Sequence, residues 1–191
     1  MLILRGSPAL SDFRLNKLLE DFHADSLPVA GVYAEFVHIV NLDSDLSDEK
    51  RKVLEQLLSY GPHRESHNPS GTLFVVAPRP GTISPWSSKA TDIAHICGLP
   101  EIQRIERGIA YYIEFNGGAT ECVLAGIKAK IHDRMTQKVF PSFETLSVLF
   151  NKEAPKPLTE VPVLTEGRDA LVRANKTMDL ALSPAEIDYL V

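Results

Sequence analysis

The chain has 191 residues, of which 44% are hydrophobic and 24% charged, and its formal net charge is −5 at pH 7. These values are typical of one globular domain of ordinary size, with room for an appendage. The Lys and Arg residues are scattered and form no basic stripe, so no nucleic-acid partner is expected. No run of about eighteen apolar residues is present, and two cysteines are too few for a disulfide framework. We therefore expect a cytoplasmic protein without a membrane partner.

The first part of the chain begins with a strand pattern and a helix pattern. A short strand at 2–4 is followed by a helix that we expect to start with Ser7 as N-cap and Pro8 at its first position. The next apolar residues recur at helical spacing and predict one buried helix face, formed by Leu15, Leu18, Leu19 and Phe22.

A second strand and a second helix follow. Residues 32–40 are β-branched and aromatic with alternating faces, which predicts a strand. Ser47 is expected to cap a helix with acidic residues in its first turn, and Gly61-Pro62 to stop it. The apolar stripe of this helix consists of Val53, Leu54, Leu57 and Leu58.

The next part repeats this plan. Residues 72–77 predict a strand, and residues 109–115 a second one in which Tyr111 and Tyr112 face opposite sides. Gly117-Gly118 turns the chain into a helix over 119–135, whose inward residues are expected to be Leu124, Ile127, Ile131 and Met135. An apolar segment, "VFPSFETLSVLF", closes the region. The order fits an α+β or α/β sandwich. We predict an α+β fold of two βαβα halves that form a mainly antiparallel, helix-covered sheet.

The composition of the chain changes after residue 150. Prolines alternate with charges in "NKEAPKPLTEVP", which is typical of an extended linker. A helix is expected within 166–182, and Ser183, Pro184 and Glu186 then form a capping-box pattern. We therefore divide the chain into a domain at 1–150 and a linker with the start of a helical segment at 151–191. Because the capped helix has barely begun when the sequence ends, we expect a longer polypeptide.

Common catalytic signatures are absent: there is no P-loop, dinucleotide-binding or nucleophile-elbow motif. His63 and His67 are four residues apart, but the neighbouring Pro, Gly and Asn residues favour a solvated loop over a metal site. Cys97 and Cys122 lie on predicted apolar helix faces, so we expect buried, unreactive thiols. No catalytic residue is assigned.

An acidic cluster precedes the second helix. Helix N-termini favour acidic residues for electrostatic reasons, so we prefer that explanation to a metal-binding loop. No metal site is therefore assigned to the cluster, which comprises Asp43, Asp45, Asp48 and Glu49.

The segment "RPGTISPWSSKATDIA" at 79–94 is the most distinctive polar stretch. A helix can start with Ser84 as N-cap, or with Ser87 or Ser88. Either start gathers backbone N–H groups, hydroxyls and an ammonium where an anion would be favoured. The alternative is a capped turn with a packed Trp86, and the residues leave both open. The possible donors are Thr82, Ser84, Ser87, Ser88 and Lys89.

Several stretches resemble a known family. They are "LRGSPALSDFRLNKLL", "YAEFVH", "LLSYGP", "VVAPRPGTISPWSSKATDIAHICGL", "RIERGIAYYIE" and "IHDRMTQ", followed by "GRDALVRANKTMDLALSPAEIDYL". In order and content they resemble the N-terminal region, and the start of the linker, of the large single-chain phosphoribosylformylglycinamidine synthases of purine biosynthesis. The resemblance covers almost the whole chain.

The resemblance implies a fold similar to a fused dimer of the small synthase subunit. It also implies an enzyme that converts formylglycinamide ribonucleotide, ATP and glutamine into formylglycinamidine ribonucleotide, ADP, phosphate and glutamate. The ATP and Mg²⁺ sites and the glutaminase residues would lie in synthetase and glutaminase domains of the same polypeptide. This region would be inactive by itself, bind no cofactor, and support domain docking and ammonia transfer.

The resemblance makes 79–91 a candidate docking surface near the synthetase active site, or a substrate-binding one. The alternatives are a purely structural interface loop, a stand-alone scaffold subunit that acts in trans, and a small enzyme with a phosphate pocket here. The candidate residues are Arg79, Thr82, Ser84, Trp86, Ser87, Ser88 and Lys89.

Overall fold

The computed structural model describes residues 1–61, 69–151 and 154–191. The chain divides between residues 152 and 153 into two compact units. The strands are β1 (Leu2–Pro8), β2 (Val29–Leu42), β3 (Thr72–Pro78), β4 (Ile102–Phe115) and β5 (Gln137–Phe140). The helices of the first unit are α1 (Asp12–Ala24), α2 (Asp48–Leu57), α3 (Pro85–Ile96), α4 (Glu121–Ile131) and a 3₁₀ helix (Glu144–Phe150). Among the described residues, no helix is long and apolar enough to cross a bilayer.

The five strands form one antiparallel sheet in the order β1-β2-β4-β3-β5. The long strands β2 and β4 pair along their whole length at the centre, and each carries the shorter strand of its own half outside it. The predicted α+β class, the alternation of strands and helices and the antiparallel sheet are thus confirmed.

The two halves match in length and register. The outer strands β1 and β3 both have 7 residues, and the inner strands β2 and β4 both have 14. Arg5 faces Val37 in the first half, and Val75 faces Ala110 at the corresponding place in the second. The register therefore supports an internal repeat related by an approximate two-fold axis between the central strands.

A short sequence motif marks the same turn in both halves. "HADSLP" ends α1 and "HICGLP" ends α3. The Nε2 atom of His23 lies 2.8 Å from the carbonyl oxygen of Val29, and that of His95 lies 2.6 Å from the carbonyl oxygen of Ile102. In each case the imidazole ties the last helical turn to the first residue of the following long strand.

The core consists of three clusters. One lies between the sheet and helices α1 and α4 and contains Ala34 and Tyr111. A second lies between the same face of the sheet and helices α2 and α3, around Val40 and Leu54. The third lies on the opposite face, where the 3₁₀ helix inserts Leu146 and its neighbours. Helices of both halves therefore cover one face, and the 3₁₀ helix covers part of the other.

The start of α1 differs from the prediction. Its N-cap is Ser11, whose Oγ accepts a hydrogen bond from the Arg14 amide at 3.4 Å, whereas Ser7 and Pro8 lie in β1. Proline is tolerated there because β1 is an edge strand and needs no donor on its open side. The amide of Ala9 donates to the carbonyl of Ala34 at 2.9 Å, which prolongs the extended conformation.

The end of α4 also differs from the prediction. The helix stops at Ile131, and Met135 is exposed rather than buried. Asp133 forms a turn instead, since its carboxylate accepts hydrogen bonds from the Met135 amide and the Thr136 hydroxyl, both at 2.8 Å. The buried positions of Leu15, Phe22, Ile127 and Ile131, the Ser47 cap and the opposite faces of Tyr111 and Tyr112 are confirmed.

The second unit is helical, with α5 (Val163–Glu166), α6 (Arg168–Thr177) and α7 (Pro184–Leu190). The capping box predicted at Ser183 is present, with Glu186 bonded to both the Ser183 amide and hydroxyl. The side-chain amide of Asn175 bonds both the carbonyl and the amide of Leu182. This pair of bonds holds α6 and α7 as a small hairpin.

The repeated turn gives a matched pair of mutations. Ser26 has a positive φ of 56°, and its counterpart Gly98 has a φ of 84°. Because left-handed backbone is costly for residues other than glycine, we expect Ser26→Gly to raise the free energy of unfolding by about 0.5–1 kcal/mol. Gly98→Ser should lower it by a similar amount. Urea unfolding followed by the fluorescence of Trp86, the single tryptophan, measures both changes. Effects of the same sign in both variants would contradict the equivalence of the turns.

Candidate functional site

The candidate segment lies where β3 leaves the sheet. β3 pairs with β4 only at residues 109–113, so the first half of β4 has no strand beside it on that side. Helix α3 occupies this edge. The hydroxyl of Thr91 accepts a hydrogen bond from the Ile105 amide at 2.9 Å and thereby satisfies an edge donor that strand pairing would otherwise serve. Because α3 lies along an edge, its first turn reaches both faces of the sheet.

On one face, the start of α3 is fixed by a fully buried carboxylate. The Oε1 atom of Glu106 accepts a hydrogen bond from the Ser84 hydroxyl at 2.5 Å, and its Oε2 atom lies 3.5 Å from the Ser84 amide. Ser84 is also the N-cap, since its Oγ accepts from the Ser87 amide at 3.0 Å. The structure therefore selects the first of the two predicted helix starts.

Arg104 pairs with this carboxylate and connects three other segments. Its Nη2 atom lies 2.6 Å from Glu106 Oε2 and also donates to the Thr82 carbonyl at 2.8 Å. The remaining nitrogens donate to Ser87 Oγ and to the Leu149 carbonyl, both at 3.3 Å. We call Arg104, Glu106, Ser84 and Ser87 the clamp. Charged hydrogen bonds of this kind are strong when both partners are withdrawn from water, and leaving one partner unpaired is costly.

The clamp places a carboxylate of the protein at the helix N-terminus, where an anionic ligand would otherwise be favoured. A helix N-terminus favours a negative charge, and here the protein supplies one in Glu106. The hydroxyls of Ser84 and Ser87 are directed to the sheet. These two residues therefore hold the segment in place.

The other predicted site residues lie farther out. Arg79, Thr82, Ser88 and Lys89 are exposed, and the Thr82 hydroxyl donates to the Arg79 carbonyl at 2.6 Å. No hydrogen bond or ion pair of the Ser88 hydroxyl or the Lys89 ammonium occurs in the part of the chain that the structure describes. The structure thus separates the predicted set into anchored and outward-facing groups.

On the other face, Trp86 belongs to a stack of rings and a cation. Its ring stacks on His38 with centroids 5.7 Å apart, and the Arg107 guanidinium lies 4.8 Å from the Trp86 centroid and 4.5 Å from that of Phe36. Arg107 Nη1 lies 3.3 Å from the Tyr60 hydroxyl, which lies 2.7 Å from His38 Nε2. Since Arg107 can only donate, the Tyr60 hydroxyl accepts from it, and the same hydroxyl is hydrogen-bonded to His38.

The environment of His38 disfavours its charged form. Burial lowers the pKa of His38 to about 4, and the positive charge of Arg107 contributes in the same direction. An interaction with the Leu4 backbone acts in the opposite direction. Within the described residues, the buried Nδ1 atom has no hydrogen-bond partner of good geometry. His38 is therefore a neutral ring at physiological pH, and it supports Trp86 through stacking.

A pocket opens next to Trp86, between the end of α2 and one face of α3. Its volume is about 190 Å³. The lining residues are mostly apolar, and they are Leu57, Leu58, Tyr60, Trp86, Lys89, Ala90, Ile93, Ala94 and Ile105. The pocket is thus continuous with the segment that the sequence singled out.

Other sequence predictions have mixed outcomes. Cys97 and Cys122 are both exposed, so the prediction of buried thiols is wrong: Cys97 is the C-terminal cap of α3 and Cys122 lies in the first turn of α4, on outward positions. Within residues 1–61, 69–151 and 154–191, no three His, Cys, Asp or Glu side chains come together as metal ligands. The pair His63 and His67 lies outside the described residues.

The sequence analysis missed the partners of the segment, namely Arg104, Glu106, Arg107 and His38. A signal was available in "RIE", because Arg104 and Glu106 lie two positions apart and so share one face of a strand. Opposite charges at such positions inside an apolar strand indicate a buried pair. The predicted strand began only at Ile109, which left this pair outside it.

Comparison with protein families identifies the class to which this architecture belongs. A family model described as formylglycinamide ribonucleotide amidotransferase N-terminal matches residues 35–150, which include the second part of β2, all of β3, β4 and β5, the clamp and the stack around Trp86. The chain belongs to this family, the N-terminal region of the formylglycinamide ribonucleotide amidotransferases of purine biosynthesis.

The environment of His38 predicts a pH dependence of stability. The unfolded chain protonates His38 near pH 6.5, whereas the folded chain does so only near pH 4. Between these pH values, the unfolded chain binds more protons than the folded chain. The contribution of His38 to the free energy of unfolding is therefore complete above pH 6.5 and declines as the pH falls toward 4. On going from pH 7 to pH 4.5, the free energy of unfolding of the wild type should therefore fall by about 2–3 kcal/mol more than that of His38→Phe.

Urea titrations of both proteins at the two pH values measure this difference. His38→Phe keeps a ring against Trp86 and removes the titration; it also removes the hydrogen bond to Tyr60, at both pH values, so the comparison uses the change in stability between the two pH values. Parallel losses of stability in both proteins would show that His38 does not carry the effect.

Proposed function

We propose that this chain is the non-catalytic scaffold module of a formylglycinamide ribonucleotide amidotransferase. In this proposal, residues 79–91 dock the module against the synthetase and glutaminase domains of the enzyme. One observation carries the proposal: the clamp anchors the first turn of α3 to the sheet while Ile83, Ser88 and Lys89 remain exposed beside it. A rigid segment with outward apolar and polar groups suits docking, because little order is lost on contact.

The division of roles within the segment follows from the hydrogen bonds. Ser84 and Ser87 hold the backbone, and the Thr82 hydroxyl donates to the backbone carbonyl of Arg79. The Arg79 guanidinium, the Ser88 hydroxyl and the Lys89 ammonium are then the groups left to donate to a substrate phosphate or to a facing loop. Trp86 supports the surface from behind, since its ring packs against His38 and Arg107.

The reaction chemistry is assigned to other domains. The family's reaction joins formylglycinamide ribonucleotide, ATP and glutamine, and needs Mg²⁺ and a glutaminase nucleophile. The described residues of this chain bring together no set of carboxylates or histidines suited to Mg²⁺. The module would be inactive alone and would help to keep ammonia on a protected route between the two sites, away from water. Exposed free thiols at Cys97 and Cys122 suit a reducing cytoplasm.

The proposal is tested with Lys89→Ala in the complete amidotransferase. Removing the ammonium should raise the KM for the ribonucleotide, or reduce the product formed per glutamine hydrolysed, by about threefold to tenfold, as expected for one lost charged contact at an interface. Steady-state kinetics with separate assays of glutamate and product measure both quantities.

Lys52→Ala is the matched control, because Lys52 is equally exposed but lies on α2 and does not line the pocket. An unchanged KM together with unchanged coupling in Lys89→Ala would remove the substrate role and the ammonia-transfer role at once.

A further inference from the structure

The pocket beside α3 has the size of one side chain. Its volume of about 190 Å³ exceeds that of cavities near 150 Å³ that accept benzene. It falls below the range of about 300–1,000 Å³ that is usual for sites of drug-sized ligands and cofactors. A ring or branched aliphatic group therefore fits, and a nucleotide does not.

The lining of the pocket is apolar with a cation at its edge. Ala90, Ile93 and Ile105 supply carbon surface, and Lys89 is the one charged side chain that lines the pocket in the part of the chain that the structure describes. Among the described residues, no acidic side chain lines the pocket and Lys89 has no carboxylate partner. The guanidinium of the nearby Arg107 likewise pairs with no carboxylate among the described residues; it contacts the Tyr60 hydroxyl and two rings, and only the backbone amide of Arg107 bonds a carboxylate, that of Glu106. In a chain with a net charge of −5, this local cationic character complements a negative partner.

The walls are fixed before any partner arrives. Trp86 contacts both His38 and the Arg107 guanidinium, and the Tyr60 hydroxyl bonds both of these residues. A pocket whose aromatic walls are already ordered loses little conformational entropy on binding. Aromatic residues in such pockets commonly anchor protein interfaces.

From size, charge and order together, we infer that this pocket is a socket for one large apolar side chain of a partner polypeptide, and that a carboxylate next to that side chain pairs with Lys89. The inference deepens the proposed function and rests on it for the identity of the partner, which is another domain of the amidotransferase. The chemistry of the occupant follows from the pocket alone.

The test uses the 191-residue chain and three blocked tetrapeptides. They are acetyl-Gly-Phe-Glu-Gly-amide, the same peptide with Gln in place of Glu, and the same peptide with Ala in place of Phe. Trp86 lines the pocket and is the single tryptophan, so its fluorescence reports occupancy directly. We expect saturable binding of the Phe-Glu peptide, binding of the Phe-Gln peptide that is about threefold to tenfold weaker, and no saturation with the Ala-Glu peptide.

Two variants locate the effect. Lys89→Gln should abolish the difference between the Glu and Gln peptides, whereas the matched control Lys52→Gln should keep it. Ala90→Leu fills the pocket and should weaken binding of both Phe peptides at least fivefold. Equal binding of all three peptides, or no fluorescence change with any, would overturn the socket. Tighter binding of 3-phenylpropionate than of the Phe-Glu peptide would also overturn it, in favour of a small carboxylate ligand.

The socket and the proposed function can fail separately. In the complete enzyme, Ala90→Leu should lower the product formed per glutamine hydrolysed. If the peptides behave as expected but this coupling is unchanged, the socket stands and the docking role in the amidotransferase fails. If the coupling changes while no peptide binds, the docking role stands and the socket is wrong.

Discussion

The architecture around the site depends on one buried carboxylate. Glu106 has no exposure to solvent, and its charge is tolerable because Arg104 donates to one carboxylate oxygen and the Ser84 hydroxyl to the other. The Arg104 guanidinium also donates to the carbonyls of Thr82 and Leu149. The ion pair of Arg104 and Glu106 therefore connects the sheet, the start of α3 and the 3₁₀ helix. This contact fixes the first turn of α3, and the bonds of Thr91 to the Ile105 amide and of His95 to the Ile102 carbonyl fix the direction of the helix.

The internal repeat distinguishes the features that form the fold, which recur in both halves, from those that form the site. Serine caps, matching strand lengths and the His-to-carbonyl contact recur in both halves and form the sheet. The site does not recur. An aromatic residue stands two positions after the N-cap in each half, yet Phe13 is 77% exposed, whereas Trp86 stacks on His38 and Arg107. The long strand of the second half thus carries charged residues that hold α3 in place, and the pocket lies beside this helix.

The sequence predicts the elements well because each depends on local rules: helix faces, Ser47 and Ser183 as caps, and two similar halves. Prediction from the sequence fails where the structure depends on residues that are far apart in the chain. Whether Pro8 starts a helix or lies in a strand depends on β1 being an edge strand. The exposure of the two cysteines depends on which face of each helix packs against the sheet. In the site, Ser84 and Trp86 were found through local composition, since Ser-Pro and a lone tryptophan are visible in the sequence. Glu106 was not, because its role exists only once β4 lies beside the segment.

The most direct measurement of the central claim is a double-mutant cycle on the clamp. Arg104→Met, Glu106→Gln and the double variant are unfolded in urea and followed by Trp86 fluorescence, which reports the unit that contains the clamp. Each single variant leaves one polar group of a buried pair unpartnered and is expected to lose about 3 kcal/mol, while the double variant loses clearly less than the sum of the two. Losses that add to within about 0.5 kcal/mol would contradict the account, because Arg104 and Glu106 would then act independently and could not hold α3 together.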